Sequence, residues 1–562
     1  MVQHAGSKAG PGCTLATPDW EIDLRTTAGL PNAGGDLLRS RLAADRLQLQ
    51  GPAAARRVNA ETLLIWAYMA TLGLLFVYGL HRVWLLWRFR WGAARAAHAS
   101  TPSLGDFSVA GDEPGALPIV TVQLPVYNER TVAARLVRAC GALDWPRERF
   151  EIQVLDDSTD ETRDIVDEEV RQLVAAGIDA KVVRRADRVG YKAGALAHGQ
   201  RSARGEFIAI FDADFLPQAD FLRQLVPHFA DPKIGMVQAR WGHDNRDDNL
   251  LTRAESTLLD GHFVIEHTVR HDTGVFFNFN GTAGIWRRAA IDEAGGWQHD
   301  TLTEDLDLSY RAQLAGWRFV YKPMVVAPAE VPPDIAAFKS QQHRWAKGSV
   351  QVCKKLGWRI LTSREPLKVK LEAMAHLTGN VGYPTVLLLA LLLPLSTALR
   401  ADFAPWLSVA LFATCSLSVV MFYERSQDAI GRPLVRRLLD SFAAILLGIG
   451  MCVSQTRAVF EGVFGETGAF VRTPKKGDAP RAKRYATALK GLPGVELLVA
   501  AWFGFGIWSA FERELWASLP FQALFCASFA WVGAMTLHDR VRALWPSRSV
   551  AAESARGLPA QG

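Results

Sequence analysis

This 562-residue sequence predicts an α/β domain of Rossmann-like, mixed-sheet type, inserted between transmembrane helices. Three observations point there. Long charge-free apolar runs lie towards both ends. Between them, short β-rich runs alternate with amphipathic helical stretches. The composition, 49% hydrophobic with 18 Trp yet 21% charged, suits a soluble domain joined to spans and not a chain wholly buried in lipid.

Residues 1–60 are rich in Ala, Gly and Arg and lack the apolar core of a secretory signal, so a mobile tail is expected. Leu63 to Leu80 carries no charge and is long enough for a hydrocarbon core, giving a first span over 61–90. Arg82, Arg88, Arg90 and Arg95 follow and place the next segment in the cytoplasm. From 110 to 335 four strand-like runs, IVTVQLPVY, FEIQVLDD, DAKVVRR and EFIAIFDAD, each end in polar residues. That arrangement puts ligand groups at the carboxyl ends of strands. No GxGxxG or P-loop accompanies the first strand. Residues 336–368 read as helices at the membrane surface. Two spans follow over 371–423 and two more over 491–537. Segment 433–460 is ambiguous. If it crossed, the basic cluster Lys475–Arg484 and the tail 538–562, with Arg540 and Arg542, would fall outside. The positive-inside rule therefore favours an in-plane interfacial helix and five spans.

Net charge of +6 is too small to argue for nucleic acid, and six scattered Cys form neither a disulfide frame nor a zinc site. Four polar clusters remain. Asp156-Asp157-Ser158 ends a strand and could accept hydrogen bonds from a base or ribose; its bland alternative is a helix N-cap. Asp212-Ala213-Asp214 ends the run FIAIF. Side chains at i and i+2 share one side of a strand, so both carboxylates could seat a hard divalent ion. The bland alternative is a polar turn. Thr303-Glu304-Asp305-Leu306-Asp307 could be no more than an acidic first helical turn. Gln341-Gln342-His343-Arg344-Trp345 alone is an amphipathic helix fragment.

In this order the clusters resemble the membrane glycosyltransferases of family 2, which include cellulose, hyaluronan and chitin synthases. The pattern D…DxD…TED…QxxRW is met by Asp157, by Asp212 and Asp214, by Thr303-Glu304-Asp305, and by Gln341, Arg344 and Trp345. LPVYNE at 124–129, Tyr191-Lys192-Ala193-Gly194, Phe279-Asn280-Gly281-Thr282-Ala283-Gly284 and Gly295-Gly296-Trp297 look like the cellulose-synthase-like mannan and glucomannan synthases. The resemblance covers about 60–540. It implies a GT-A fold, a nucleotide-sugar donor (GDP-mannose or UDP-glucose), inversion, a Mg²⁺ or Mn²⁺ cofactor and a β-linked, β-1,4 glycan acceptor. A gating loop of type FxVTxK is matched over 461–485 by Phe470, Thr473 and Lys475, with Arg472 where the family has Val.

The resemblance assigns Asp305 as base and Asp212 and Asp214 as metal ligands. Tyr127, Asp156, Asp157, Lys192, Asp212 and Arg344 fall to the donor. Asn280, Thr282, Glu304 and Trp345 fall to the acceptor. It implies a multi-pass protein of the inner or another cell membrane with the catalytic domain cytoplasmic, and leaves export partners open. Two other readings compete: single addition of a sugar to a lipid acceptor, and a non-catalytic transporter or scaffold with a degenerate domain, which the retained carboxylates disfavour.

Overall fold

The computed structural model describes residues 52–96, 117–399, 405–465 and 494–544. The chain divides into the units Met1–Leu63 and Leu64–Gly562, and of the first only the opening turns of one helix are described. Residues 1–51 and 545–562 of the expected tails, and the expected gating-loop residues Phe470, Thr473 and Lys475, lie outside the described residues. Residues 52–60 are helical where the sequence suggests a mobile tail, and 538–544 continue the helix Leu519–Leu544.

Among the described residues five helices are long and apolar enough to cross a membrane: Glu61–Arg90, within helix α1 (Pro52–Ala96), then Leu367–Ala398, Trp406–Ala429, Val495–Glu512 and Trp516–Val541. The ambiguous segment forms two helices, Leu434–Gly450 and Cys452–Phe464, bent by 51° at their junction. Leu434, Val435, Leu438, Leu439 and Phe442 stay exposed on one side of the first, while Asp440, Ala443, Ala444 and Leu447 face inward. That is an amphipathic stripe at helical spacing.

The soluble domain holds a seven-stranded sheet: β1 (Val120–Val126), β2 (Phe150–Asp156), β3 (Ala180–Val183), β4 (Phe207–Ile210), β5 (Ile234–His243), β6 (Gly284–Arg287) and β7 (Arg318–Ala329). Its order is β3-β2-β1-β4-β6-β5-β7. Only β6 runs against its neighbours; β5 pairs parallel with β7. This mixed sheet with one reversed strand has the GT-A pattern. Both faces are covered, which explains the unbroken apolar run of β4. Phe207, Ala209 and Phe211 enter one core cluster, and Ile208 and Ile210 enter the other.

Chain order reverses between β1 and β4, so the crevice at their carboxyl ends is the natural ligand position. Four helices frame it: α2 (Tyr191–Arg201), α3 (Leu250–Asp260), α4 (Glu304–Leu314) and α5 (Ile335–Thr362). Residues Gly261–His267 continue α3 as a π-helical turn, a local underwinding frequent near functional sites.

Candidate active site

The crevice is a cavity of about 200 Å³. Tyr127, Asp157, Lys192, Asp212, Asp214, Asn280, Glu304, Asp305, Arg344 and Trp345 all line it, drawn from residues more than 200 positions apart. Asp156 and Thr282 do not. Asp156 is buried behind the wall, taking hydrogen bonds from Arg184 Nε (2.9 Å) and the Ser158 N–H (2.9 Å). Thr282 is fully buried and its Oγ1 accepts the N–H of Asp212 at 2.9 Å, so it braces the DxD backbone.

Each lining group is held by its element. Asp157 follows β2, and its two oxygens accept Nε (3.0 Å) and Nη2 of Arg185. Arg188 lies 3.3 Å from the Tyr127 ring centre and 5.0 Å from that of Tyr191, a cation–π sandwich at the mouth of β1. Lys192, in the first turn of α2, donates from Nζ to Asp212 Oδ1 (2.5 Å) and to the Gly281 carbonyl (2.9 Å). Gly281 has φ +83°, and a Cβ there would sit 2.9 Å from Asp305 Oδ2. Only glycine lets this loop pass so close to the carboxylate.

Asp305 and Glu304 occupy the first turn of α4, where the Leu306 N–H donates to Asp305 Oδ1 at 2.8 Å. The helix N-terminus favours the anions, but burial outweighs it. Burial, then the neighbouring Glu304 charge, push the Asp305 carboxyl up to about 7 against the pull of Lys192. Burial raises Glu304 too. Burial works against the Lys192 ammonium, yet Asp212, Glu304 and Asp305 together raise it. The acids and this cation set one another's charge.

Helix α5 opens with Asp334, whose side chain accepts the Ala337 N–H at 2.8 Å. Gln341, Arg344 and Trp345 then stand at i, i+3 and i+4 on one face. That face reaches the cavity because Gly348, one turn on, packs on the Thr303 side chain with no room for a Cβ, which would lie 2.5 Å from Thr303 Cγ2. Gln351 Oε1 also accepts the Leu302 N–H (3.0 Å). Burial lowers the Arg344 guanidinium to about 10, with Glu304 opposing, so it stays charged at neutral pH. The Trp345 ring lies 6.4 Å from that of Trp241, and both line the cavity.

Asp212 and Asp214 both line the cavity from the turn that follows β4, not from the strand itself, and Asp214 Oδ2 also accepts the Glu330 N–H at 3.3 Å. Among the described residues no group of three or more His, Cys, Asp or Glu is placed to cage a metal ion. Two acidic side chains fit an ion that completes its shell with phosphate and water oxygens, as Mg²⁺ and Mn²⁺ do. Sequence reasoning passed over Arg185, Arg188 and Trp241. The basic run Arg184-Arg185-Ala186-Asp187-Arg188 after a strand was the available signal for the first two.

Comparison with known proteins identifies the family. Residues 118–348 match the family described as glycosyltransferase like family 2. Glucomannan 4-beta-mannosyltransferase 9 of Arabidopsis thaliana is 36% identical, over 67% of this chain and 71% of its own. Glucomannan 4-beta-mannosyltransferase 2 of the same plant is 38% identical with the same coverage. The mannosyltransferase PcManGT from Pyrobaculum calidifontis, solved in complex with GDP-Man and Mn²⁺, shares 23% identity at a TM-score of 0.49, over 71% of this chain and 99% of that one. On the strength of the plant relatives and the matched domain, the chain belongs to glycosyltransferase family 2, among its cellulose-synthase-like hexosyltransferases.

Proposed function

We propose that the protein is an inverting, metal-dependent mannosyltransferase that extends a β-1,4-linked polysaccharide from GDP-mannose at the cytoplasmic face of a membrane. The observation that carries this is the convergence of Asp157, Asp212, Asp214, Asp305 and Arg344 on one cavity. The mannosyl donor and the linkage are supported by the 4-beta-mannosyltransferase relatives. The cytoplasmic side is supported by the basic residues that follow the first span.

Tyr127 and Asp157, which follow β1 and β2 and line the cavity, would take the base and ribose of the donor. Asp212 and Asp214 would hold the divalent ion, Mg²⁺ or Mn²⁺. When bound, that ion neutralises the diphosphate leaving group. The buried guanidinium of Arg344 supplies a further fixed charge to the diphosphate. The acceptor hydroxyl oxygen attacks the anomeric carbon from the face opposite the diphosphate. The new C–O bond forms as the old one breaks, and the bonding pair leaves with the nucleoside diphosphate. Asp305 takes the hydroxyl proton. Trp345 and Trp241 offer flat apolar faces for the acceptor sugar, with Asn280 and Glu304 at its hydroxyls. The five candidate spans and the helix Leu434–Gly450, read as lying in the membrane plane, suit a product handed to the bilayer.

A screen of nucleotide release over GDP- and UDP-sugars tests the donor. GDP-mannose with Mg²⁺ or Mn²⁺ should be the best substrate, and EDTA should remove the activity. Preference for UDP-glucose, or turnover unchanged by EDTA, overturns the corresponding part of the reading.

A further inference from the structure

Behind the acceptor wall a partly buried polar chain leads away from Asn280. The amide of Asn280 lies between two imidazoles: His262 Nε2 is 3.0 Å from its Oδ1 and His267 Nε2 is 2.8 Å from its Nδ2. The two rings pack edge to face, with centres 4.4 Å apart. Both belong to the π-helical turn Gly261–His267, whose altered winding brings them to the same side. His262 is fixed in turn: its Nδ1 lies 3.0 Å from Glu266 Oε2. Burial works against the Glu266 carboxylate, yet Arg270 and His262 hold it well below the usual range, so it stays ionised.

The chain continues into the membrane half. Arg270 is 2% exposed and bridges Glu266 Oε2 (3.2 Å) and Glu372 Oε1 (3.0 Å). Glu372 Oε2 meets His81 Nε2 of α1 at 2.7 Å. Two spans therefore anchor a file of charges whose inner end grips one amide of the cavity wall. A short amide on a glycine-flanked loop has several ways to point, and its partners select one: His262 and Asn278 Nδ2 (3.1 Å) at Oδ1, His267 at Nδ2.

We propose that His262 is a positioning residue for the acceptor: clamped by Glu266, it fixes the Asn280 amide that faces the incoming glycan hydroxyl. It touches neither donor nor reacting atoms. The inference rests on the proposed glycan-extending reaction.

The test uses the full-length protein in detergent or nanodiscs, with GDP-mannose and soluble β-1,4-mannooligosaccharide primers. His262→Phe keeps an aromatic ring among its aromatic neighbours and removes both nitrogens. It should raise the primer KM roughly tenfold or more, the size expected for a lost hydrogen bond to a buried group, with the donor KM unchanged. His262→Gln, which again offers a polar group to Asn280, should recover a substantial part of that loss. In Asn280→Ala the His262→Phe change should have little further effect on the primer KM. Wild-type protein that releases nucleotide but extends no primer overturns the proposed function and this inference with it. Primer extension by the wild type, with His262→Phe leaving the primer KM unchanged or raising both KM values together, overturns the positioning role alone. If His262→Phe fails to fold, His262→Gln and Glu266→Gln take its place: a primer KM equal to wild type in both overturns the role, and a selective rise in either supports it.

Discussion

Asp305→Asn is expected to lower transfer by about 10²–10⁴-fold while nucleotide binding persists, because the change removes a proton acceptor and almost no volume. The pH dependence follows from the site. The Asp305 carboxyl titrates near 7, raised by burial and by Glu304. The wild-type rate should therefore rise with pH through about 7 as the carboxylate forms. Stability should move the opposite way. A carboxyl whose folded pKa exceeds its ordinary 3.8 binds more protons folded than unfolded between these values, so the fold loses stability as pH rises from about 4 to about 7. Asparagine never ionises. Asp305→Asn should then be more stable than wild type at pH 8 by on the order of 1–3 kcal/mol and melt at a higher temperature, with the gap shrinking at pH 4. Thermal melts at both pH values check it. Equal melting at pH 8, or wild-type turnover, would remove Asp305 from its role.

Lys192→Met should be the most damaging single change away from the base. Its ammonium is bonded to Asp212 Oδ1 and the Gly281 carbonyl and lies within the fields of Glu304 and Asp305. Removing it leaves Asp212, Glu304 and Asp305 without the ammonium that offsets their charge. Asp305 would then rise above about 7 and stay protonated at neutral pH. Activity should fall by roughly 10²-fold or more, the acid limb of the pH–rate profile should shift to higher pH, and the fold should lose about 3 kcal/mol. Lys192→Arg keeps the charge and should retain the acid limb near its wild-type position. A Lys192→Met profile superimposable on wild type would mean that the ammonium does not set the charge of the acids.

Much of this site was legible because its chemistry sits at strand ends. Strands β1 to β4 stand out as apolar runs closed by polar residues, and Asp157, Asp212 and Asp214 fall at the closures of β2 and β4. Alternation hid one detail. Asp156 and Asp157 are adjacent, so they point apart: Asp157 enters the cavity and Asp156 turns to Arg184. Thr282 looked like a contact for sugar, yet its hydroxyl is consumed by the Asp212 backbone. Strands β5 to β7 were harder to see. Strand β6 has only four residues, and β7 carries Pro323 and meets β5 across register shifts. Trp241, on β5, was therefore unplaced, and its pairing with Trp345 depends on α5 folding back over the sheet. The arginines on Asp157 and Tyr127 are tertiary partners that local pattern does not announce. The His262–Glu266–Arg270 file spans helical spacings of four, but its partner Glu372 lies 102 residues beyond Arg270.

The central claim is that one cavity joins a nucleotide-sugar to a growing glycan. Purified protein given GDP-mannose labelled in the sugar, with Mn²⁺, tests it most directly when the product is sized and digested with an endo-β-1,4-mannanase. The account predicts a ladder of labelled oligomers that the mannanase degrades and that Asp305→Asn does not produce. A single labelled lipid band, or a polymer formed equally by Asp305→Asn, would contradict it.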